Sequence, residues 1–238
     1  MNADSPLCAL VPMRHKSQRV PGKNYRLLDG RPLYRHIVDA LIASDCIDRI
    51  VIDTDSSVIS EDVRLTYGGR VEVINRPAHL TAASVPMNEI LMHDVSQIGG
   101  DLFLQTHSTN PMLKSETIAC AVDKFRKSLR SESHDSLFSV TRRHVRIWGE
   151  DGKPLNHDPK VLLQTQDLSP FFEENSCLYL FTAAGLGLNN NRIGTCPEMF
   201  EMNPLEAIDI DEESDFLLAE ALCDSMKIEL TSKPKHRG

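Results

Sequence analysis

From Leu7 to Thr141 short apolar runs alternate with segments of helical period, and this rhythm excludes most folds open to a chain of 238 residues. Leu7–Val11, Arg49–Ile52, Val71–Ile74 and Ser136–Thr141 read as strands, and Leu102–Leu104 as a buried one. Between them Leu33–Ala43, Val58–Leu65, Pro86–Ile98 and Ser115–Ser128 read as helices. In the first of these Leu33, Ile37, Ala40 and Leu41 share one face, while Pro86 suits a first turn and Ser115 a helix start. A β-α-β-α order predicts an α/β fold with a mostly parallel sheet and helices on both faces.

The rhythm breaks at about residues 142–175, which are polar and punctuated by Gly149, Gly152, Pro154, Pro159 and Pro170. Short strands and loops are expected there, as an inserted arm or part of a subunit interface. Cys177–Phe181 resumes the sheet, Ala183–Asn191 ends in three asparagines that suit a turn, and Ile208–Ile210 reads as a short strand. Glu212–Cys223 reads as a helix with acids at its start, and Lys233–Gly238 as a frayed tail. The length suits one domain over residues 1–238, carrying that arm.

Composition removes several function classes. Apolar residues make up 41% and charged residues 25%, as in a soluble globular chain with a sizeable core. No apolar stretch approaches the ~20 residues that span a bilayer, and the N-terminus lacks a signal-peptide pattern, so a cytoplasmic protein is expected. The six cysteines are scattered without a C-x-x-C and read as reduced core thiols. A net charge of −8 argues against a nucleic-acid-binding surface.

Against that acidity, Arg14, Lys16, Arg19, Lys23 and Arg26 crowd the segment after the first strand. Strand ends feeding such loops are where open α/β sheets bind ligands. Arg14 and Arg19 offer forked donors and Lys16 and Lys23 compact charges, a combination suited to phosphate. Pro12 and Pro21 stiffen the loop, and Gly22 permits close backbone approach. The alternative is a solvated basic turn. Neither G-x-G-x-x-G nor G-x-x-x-x-G-K-[ST] occurs, so a dinucleotide fingerprint and a P-loop are both excluded. No G-x-S-x-G or H-E-x-x-H is present either, leaving nucleophilic catalysis and zinc hydrolysis without support.

Asp209-Ile-Asp211 is the leading metal candidate. On a strand both carboxylates face one way, and Mg²⁺ takes one or two protein carboxylates with phosphate oxygens and water. Helix capping by Asp211 is the competing role. Asp53-Thr-Asp55, followed by Ser56 and Ser57, favours capping of the next helix over contact with a nucleotide or second metal. Arg76 pairs with Glu72 on the surface unless a nucleotide claims it, and Arg143, His144 and Arg146 form a basic patch that is solvated or meets a carboxylate.

The segment Pro12-x-Arg14-x-x-Ser17-x-Arg19-x-Pro21-x-Lys23-Asn24 resembles the signature loop of the acylneuraminate (CMP-sialic acid) cytidylyltransferases, and related CMP-Kdo synthetases carry a similar loop. The likeness continues through Asp53-Thr-Asp55, Arg76-Pro77, Leu104-Gln105 and Glu206-Ala-Ile-Asp-Ile-Asp211, nearly the whole chain in the family's order. It implies a Rossmann-like nucleotide-binding sheet with a small dimerisation arm, and a homodimer. The implied reaction is Mg²⁺-dependent transfer of CMP from CTP to the anomeric hydroxyl of a nonulosonate-type 2-keto-3-deoxy sugar acid, with release of pyrophosphate.

By the same resemblance Arg14 and Lys23 would hold the triphosphate with help from Lys16 and Arg19, and Asn24 would help read the base. Arg76 would meet phosphate or ribose, and Ser84 and Asn88 would serve the nucleotide. Gln105 would touch the sugar, as would His107 in a loop longer than the family's L-Q-P-T-S-P-L. Asn175 matches an N-G-x-x-Y segment beside the acceptor, and Gln166 an R-Q-Q-L stretch. The acceptor carboxylate falls to Arg143 or Arg146, and Mg²⁺ to Asp209 and Asp211. Two positions depart from the pattern: Gln18 stands where lysine is frequent, and Glu173-Glu174 where sialate enzymes carry arginine. The second departure leads us to expect that N-acetylneuraminate itself is a poor acceptor. Another anionic acceptor such as a phosphonate, or a non-catalytic nucleotide-binding module, remains an alternative.

Overall fold

The computed structural model describes residues 2–232; the expected frayed tail at Lys233–Gly238 lies outside them. In chain order the elements are β1 (Leu7–Pro12), β2 (Leu27–Leu28), β3 (Arg31–Pro32), α1 (Leu33–Ala43), β4 (Arg49–Thr54), α2 (Ser57–Tyr67) and β5 (Glu72–Asn75). They continue with α3 (Met87–Ile98), β6 (Leu102–Gln105), α4 (Ser115–Arg130), β7 (Ser136–Arg143) and β8 (Phe171–Thr182). The chain closes with α5 (Ala183–Asn189), β9 (Pro197–Glu201) and α6 (Glu213–Ser232).

Seven strands form one sheet in the order β5-β4-β1-β6-β8-β7-β9. Pairings among β5, β4, β1 and β6 are parallel, β8 runs antiparallel to both neighbours, and β9 is again parallel to β7. The sheet is therefore mostly parallel, as the alternation of elements predicts. All six residues of β1 are buried, because helices cover both faces. Its side chains alternate between two cores. Leu7, Ala9 and Val11 join Ile37, Leu41, Ile118 and Phe125 from α1 and α4, while Cys8 and Leu10 join Leu91 of α3 and Leu186 of α5. From β1 the chain adds β4 and β5 on one side, then returns to place β6 on the other. That reversal opens a crevice beyond the carboxyl ends of β1 and β6.

Several expectations need correction. Ile208–Ile210 is irregular rather than a strand, because Ile210 N donates to Thr109 O at 2.9 Å and the Ile208 carbonyl accepts from the Asn110 side chain at 3.3 Å. Those partners belong to a loop, not to a strand edge. The edge strand β9 was not expected, since Pro-Glu-Met-Phe-Glu shows no alternation; it pairs with β7 alone and opens on its proline. β8 begins at Phe171, earlier than the apolar run suggests, and its pairing with β7 slips between Phe138 and Val140. Two cysteines are not core thiols. Cys120 is exposed because the buried face of α4 is set by Ile118, Ala121, Val122 and Phe125, and Cys196 is exposed just before β9. All six cysteines are free, and among the described residues no helix is long and apolar enough to cross a membrane.

A third, smaller core ties α6 to the first loop. Leu28, Leu33, Ile210, Phe216 and Ala219 pack together, Arg26 lies 3.8 Å from the Phe216 ring centroid, and Arg26 pairs with Glu213 at 2.7 Å. This packing brings Asp211 to the basic loop. Phe216→Ala should therefore cost about 3–5 kcal/mol of stability in urea denaturation, the scale for emptying a buried phenylalanine site. A loss below about 1 kcal/mol would show that α6 does not anchor this corner.

Candidate active site

At the crevice between β1 and β6 lies a cleft of about 500 Å³. Arg14, Lys16, Arg19, Lys23 and Asn24 line it from the loop after β1, Arg76 from the end of β5, His107 from the loop after β6, and Asp209 and Asp211 from the segment before α6. The structure thus gathers nine of the sequence-predicted residues in one place.

The basic loop is shaped by internal bonds. Gly22 has φ +68°, and a Cβ there would come 2.9 Å from the Tyr25 ring, so both the conformation and the space favour glycine. His15 N donates to Asp55 Oδ1 at 2.6 Å, and the His15 ring stacks on Tyr25 with centroids 5.5 Å apart. Asn24 is buried: its amide donates to the Arg14 carbonyl at 2.9 Å, and its Oδ1 accepts from Ser108 at 2.8 Å. With both ends engaged, Asn24 holds the loop against the one after β6. The expected capping by Asp53 or Asp55 is replaced by Ser56, whose hydroxyl accepts from Ile59 N at 3.3 Å.

Charges in the cleft divide into paired and open groups. Asp211 receives Arg19 at 2.7 Å and Lys23 at 3.4 Å, and Lys23 also donates to the Ile210 carbonyl at 2.5 Å. Among the described residues Arg14 and Lys16 form no ion pair, which leaves them available to an anion. Asp209 Oδ1 is buried without a hydrogen-bond partner, and burial raises the Asp209 pKa, with the neighbouring Asp211 charge adding to it. No group of three or more His, Cys, Asp or Glu able to hold a metal occurs among the described residues. The donor set is therefore two carboxylates, one with an orphaned oxygen. It fits a hard cation such as Mg²⁺ that draws its remaining ligands from phosphate and water.

Arg76 departs from its expected surface pairing, because Glu72 is taken by Arg49 at 2.9 Å. Its Nε meets Asp53 Oδ2 at 2.6 Å, with both side chains 2% exposed. Desolvation nevertheless raises the Asp53 pKa against the pull of Arg76. Behind this pair Asp94 of α3 is fully buried, with neither carboxyl oxygen bonded. Burial and the Asp53 charge push its pKa up to about 8.

The other predicted residues are placed elsewhere. Ser84 is exposed, although its neighbours Ala83 and Val85 line the cleft, and Asn88 bonds the 191–192 segment instead. Gln105 is buried at the end of β6, where its Oε1 accepts from Arg192. His107 is held neutral: burial, then the charges of Arg192 and Lys23, press its pKa down to about 4. Asn175 stitches the β7–β8 irregularity through Ser139 at 2.6 Å and Thr141 at 3.1 Å. Arg143 pairs with the exposed Glu173 at 2.8 Å, Arg146 donates to the Leu163 carbonyl at 2.5 Å, and Gln166 is exposed beside Gln164. None of these last four lines the cleft. The sequence reasoning missed Arg192, whose guanidinium lies 3.4 Å from the Tyr179 ring centroid; a lone arginine after three asparagines carries no motif signal.

Comparison with known proteins identifies the family. The profile of the family described as "Cytidylyltransferase" matches residues 8–232. CMP-N,N'-diacetyllegionaminic acid synthase of Legionella pneumophila subsp. pneumophila is 32% identical over 225 residues, covering 91% of this chain and 95% of that protein. N-acylneuraminate cytidylyltransferase A of Danio rerio is 28% identical over 221 residues; the match covers 90% of this chain but 50% of that longer one. The solved structure of CMP:2-keto-3-deoxy-manno-octonic acid synthetase complexed with CTP shares the fold, with a TM-score of 0.69 at 12% identity, covering 93% of this chain and all of the other. A profile match over nearly the full length, joined to a shared fold and a cleft of open cations beside two carboxylates, makes this chain a nucleotidyltransferase of the cytidylyltransferase family.

Proposed function

We propose that this enzyme transfers CMP from CTP to the anomeric hydroxyl of a nonulosonate-type 2-keto-3-deoxy sugar acid, releasing pyrophosphate. The observation that carries the reading is the meeting of unpaired Arg14 and Lys16 with Asp209 and Asp211 in one cleft. Arg14 grips a phosphate through its fork, Lys16 adds a point charge, and a bound triphosphate competes with Asp211 for Arg19 and Lys23. Asp209 and Asp211 would hold Mg²⁺, which supplies charge neutralisation on the phosphates. Asn24 keeps the loop in register, and Arg76 presents its remaining donors from a buried ion pair. In-line displacement at the α-phosphorus asks mainly for positioning and charge compensation, and this cleft is built from those elements. Six free cysteines and the use of CTP fit a cytoplasmic setting.

A homodimer is part of the same proposal. The connection between β7 and β8 leaves Leu162 91% exposed, and a separate groove of about 550 Å³ is lined by Val145, Ile147, Phe171 and Phe172 with Arg143 and Glu173. Apolar surface of this extent calls for a partner, and a twofold copy of the chain is the commonest solution.

Pyrophosphate release from CTP, assayed with N-acetylneuraminate, Kdn, legionaminate, pseudaminate, Kdo and a phosphonate, tests the reaction. A nonulosonate other than N-acetylneuraminate should give the highest kcat/KM, and Asp209→Asn and Asp211→Asn should each lower kcat by roughly two orders of magnitude or more. Near-normal turnover by both variants at limiting Mg²⁺ would refute the metal assignment. In calorimetry Arg14→Ala and Lys23→Ala should each weaken CTP about tenfold or more, since a charge-assisted bond contributes ~1.5–3 kcal/mol; unchanged affinity in both returns the loop to a solvated turn. Sedimentation should find a dimer that Phe172→Glu dissociates, and a monomeric wild type would overturn the arm's assigned role.

A further inference from the structure

Arg192 is a cation that the proposed phosphate chemistry leaves unused. It follows α5, whose last turn closes on Asn190 in the left-handed region at φ +49°, and it is largely withdrawn from solvent. Its guanidinium carbon lies 3.4 Å from the Tyr179 ring centroid, the group donates to Gln105 Oε1, and the backbone N–H donates to Asn88 Oδ1 at 3.2 Å. Yet among the described residues no carboxylate forms an ion pair with it. Glu174 accepts from the Tyr179 hydroxyl instead. A half-buried charge without a counterion is costly, and desolvation accordingly pulls the Arg192 pKa down.

The neighbouring polar atoms share this deficit. Gln105 Nε2, Thr106 Oγ1 and His107 Nε2 are buried without hydrogen-bond partners, all at the carboxyl end of β6 or just beyond it. An amide nitrogen without an acceptor, beside a guanidinium whose one side-chain acceptor is the neutral Gln105 Oε1, calls for oxygen atoms from outside the protein. His107 lines the cleft, and the charges of both Lys23 and Arg192 act on it, so Arg192 lies close behind the cleft wall that His107 forms.

We propose that Arg192 binds the carboxylate of the acceptor sugar acid, with the Gln105 amide as the second donor. This assignment rests on the sugar-acid reaction proposed above. A planar guanidinium with its orientation set by the Tyr179 ring and by Gln105 suits two-point capture of a carboxylate. The triphosphate already has Arg14, Lys16, Arg19 and Lys23 across the cleft. Arg143 and Arg146, the sequence's candidates for this task, are engaged with Glu173 and the Leu163 carbonyl outside the cleft.

The test compares the best acid of the panel above with its methyl ester, in the wild type and in Arg192→Met, Arg192→Lys and Gln105→Glu. Arg192→Met should raise KM for the acid on the order of 10²-fold, the scale for truncating one partner of a buried charge pair, while KM for CTP stays unchanged. Its preference for acid over ester should collapse towards unity. Arg192→Lys keeps the charge without the fork and should retain a weakened preference, whereas Gln105→Glu supplies the missing counterion internally and should lose the acid selectively. If Arg192→Met does not fold, the acid-to-ester ratios of Arg192→Lys and Gln105→Glu carry the test. An acid-to-ester ratio equal to wild type in the variants overturns the assignment, as does a parallel rise in KM for CTP, which would mark a purely structural arginine. A wild type that turns over none of the acids would instead sink the proposed reaction itself.

Discussion

The Lys23 ammonium joins two parts of the chain 187 residues apart, through the Ile210 carbonyl and the Asp211 carboxylate, and the cleft exists because they meet. The ion pair is not what holds them. Asp211 is 44% exposed, and partly solvated pairs of this kind contribute about 1 kcal/mol or less. Packing of Phe216 and Ile210 against Leu28 and Leu33 is the stronger restraint. Because apolar contacts fix the backbone, the charges above them remain free to exchange partners. Stability and exchangeable charge thus belong to different groups within one corner of the fold.

The other wall of the cleft runs the opposite way. Arg76 and Asp53 are a fully desolvated pair, with Asp94 buried behind them as a second acid lacking hydrogen bonds. Replacing such a cluster by apolar residues is often neutral or stabilising, so it is poorly explained as a stabilising device. Its place at the cleft edge explains it better: a guanidinium anchored on one side by Asp53 presents its remaining donors without rotamer freedom. Arg192 is built on a similar plan with an aromatic ring and an amide as its anchors, and it differs in having no counterion of its own among the described residues.

Much of this was legible in the residues. The β-α-β rhythm from Leu7 to Gln105 reports itself because parallel strands buried on both faces are nearly continuous apolar runs. The basic loop at the cleft was legible because five bases in an acidic chain are conspicuous. Asp209 and Asp211 were found by their spacing, and they do share a cleft, although no strand carries them; hydrogen bonds from loops and Lys23 hold the segment in place instead. Asn24 was assigned to the base by resemblance, but its amide is occupied by Arg14 and Ser108, and no sequence pattern shows which partner a polar side chain will find.

Local order in the chain therefore determined the parallel core, the position of the basic loop at the end of its first strand, and the identity of the two carboxylates. Tertiary structure alone decided the surroundings of Arg192. Arg192 reaches Gln105 across 87 residues, and Tyr179 and Glu174 meet at a slip in strand pairing that no periodicity encodes. The physical reason is that period and propensity act over a few residues, whereas a half-buried cation and its amide and aromatic neighbours are brought together only when the sheet closes.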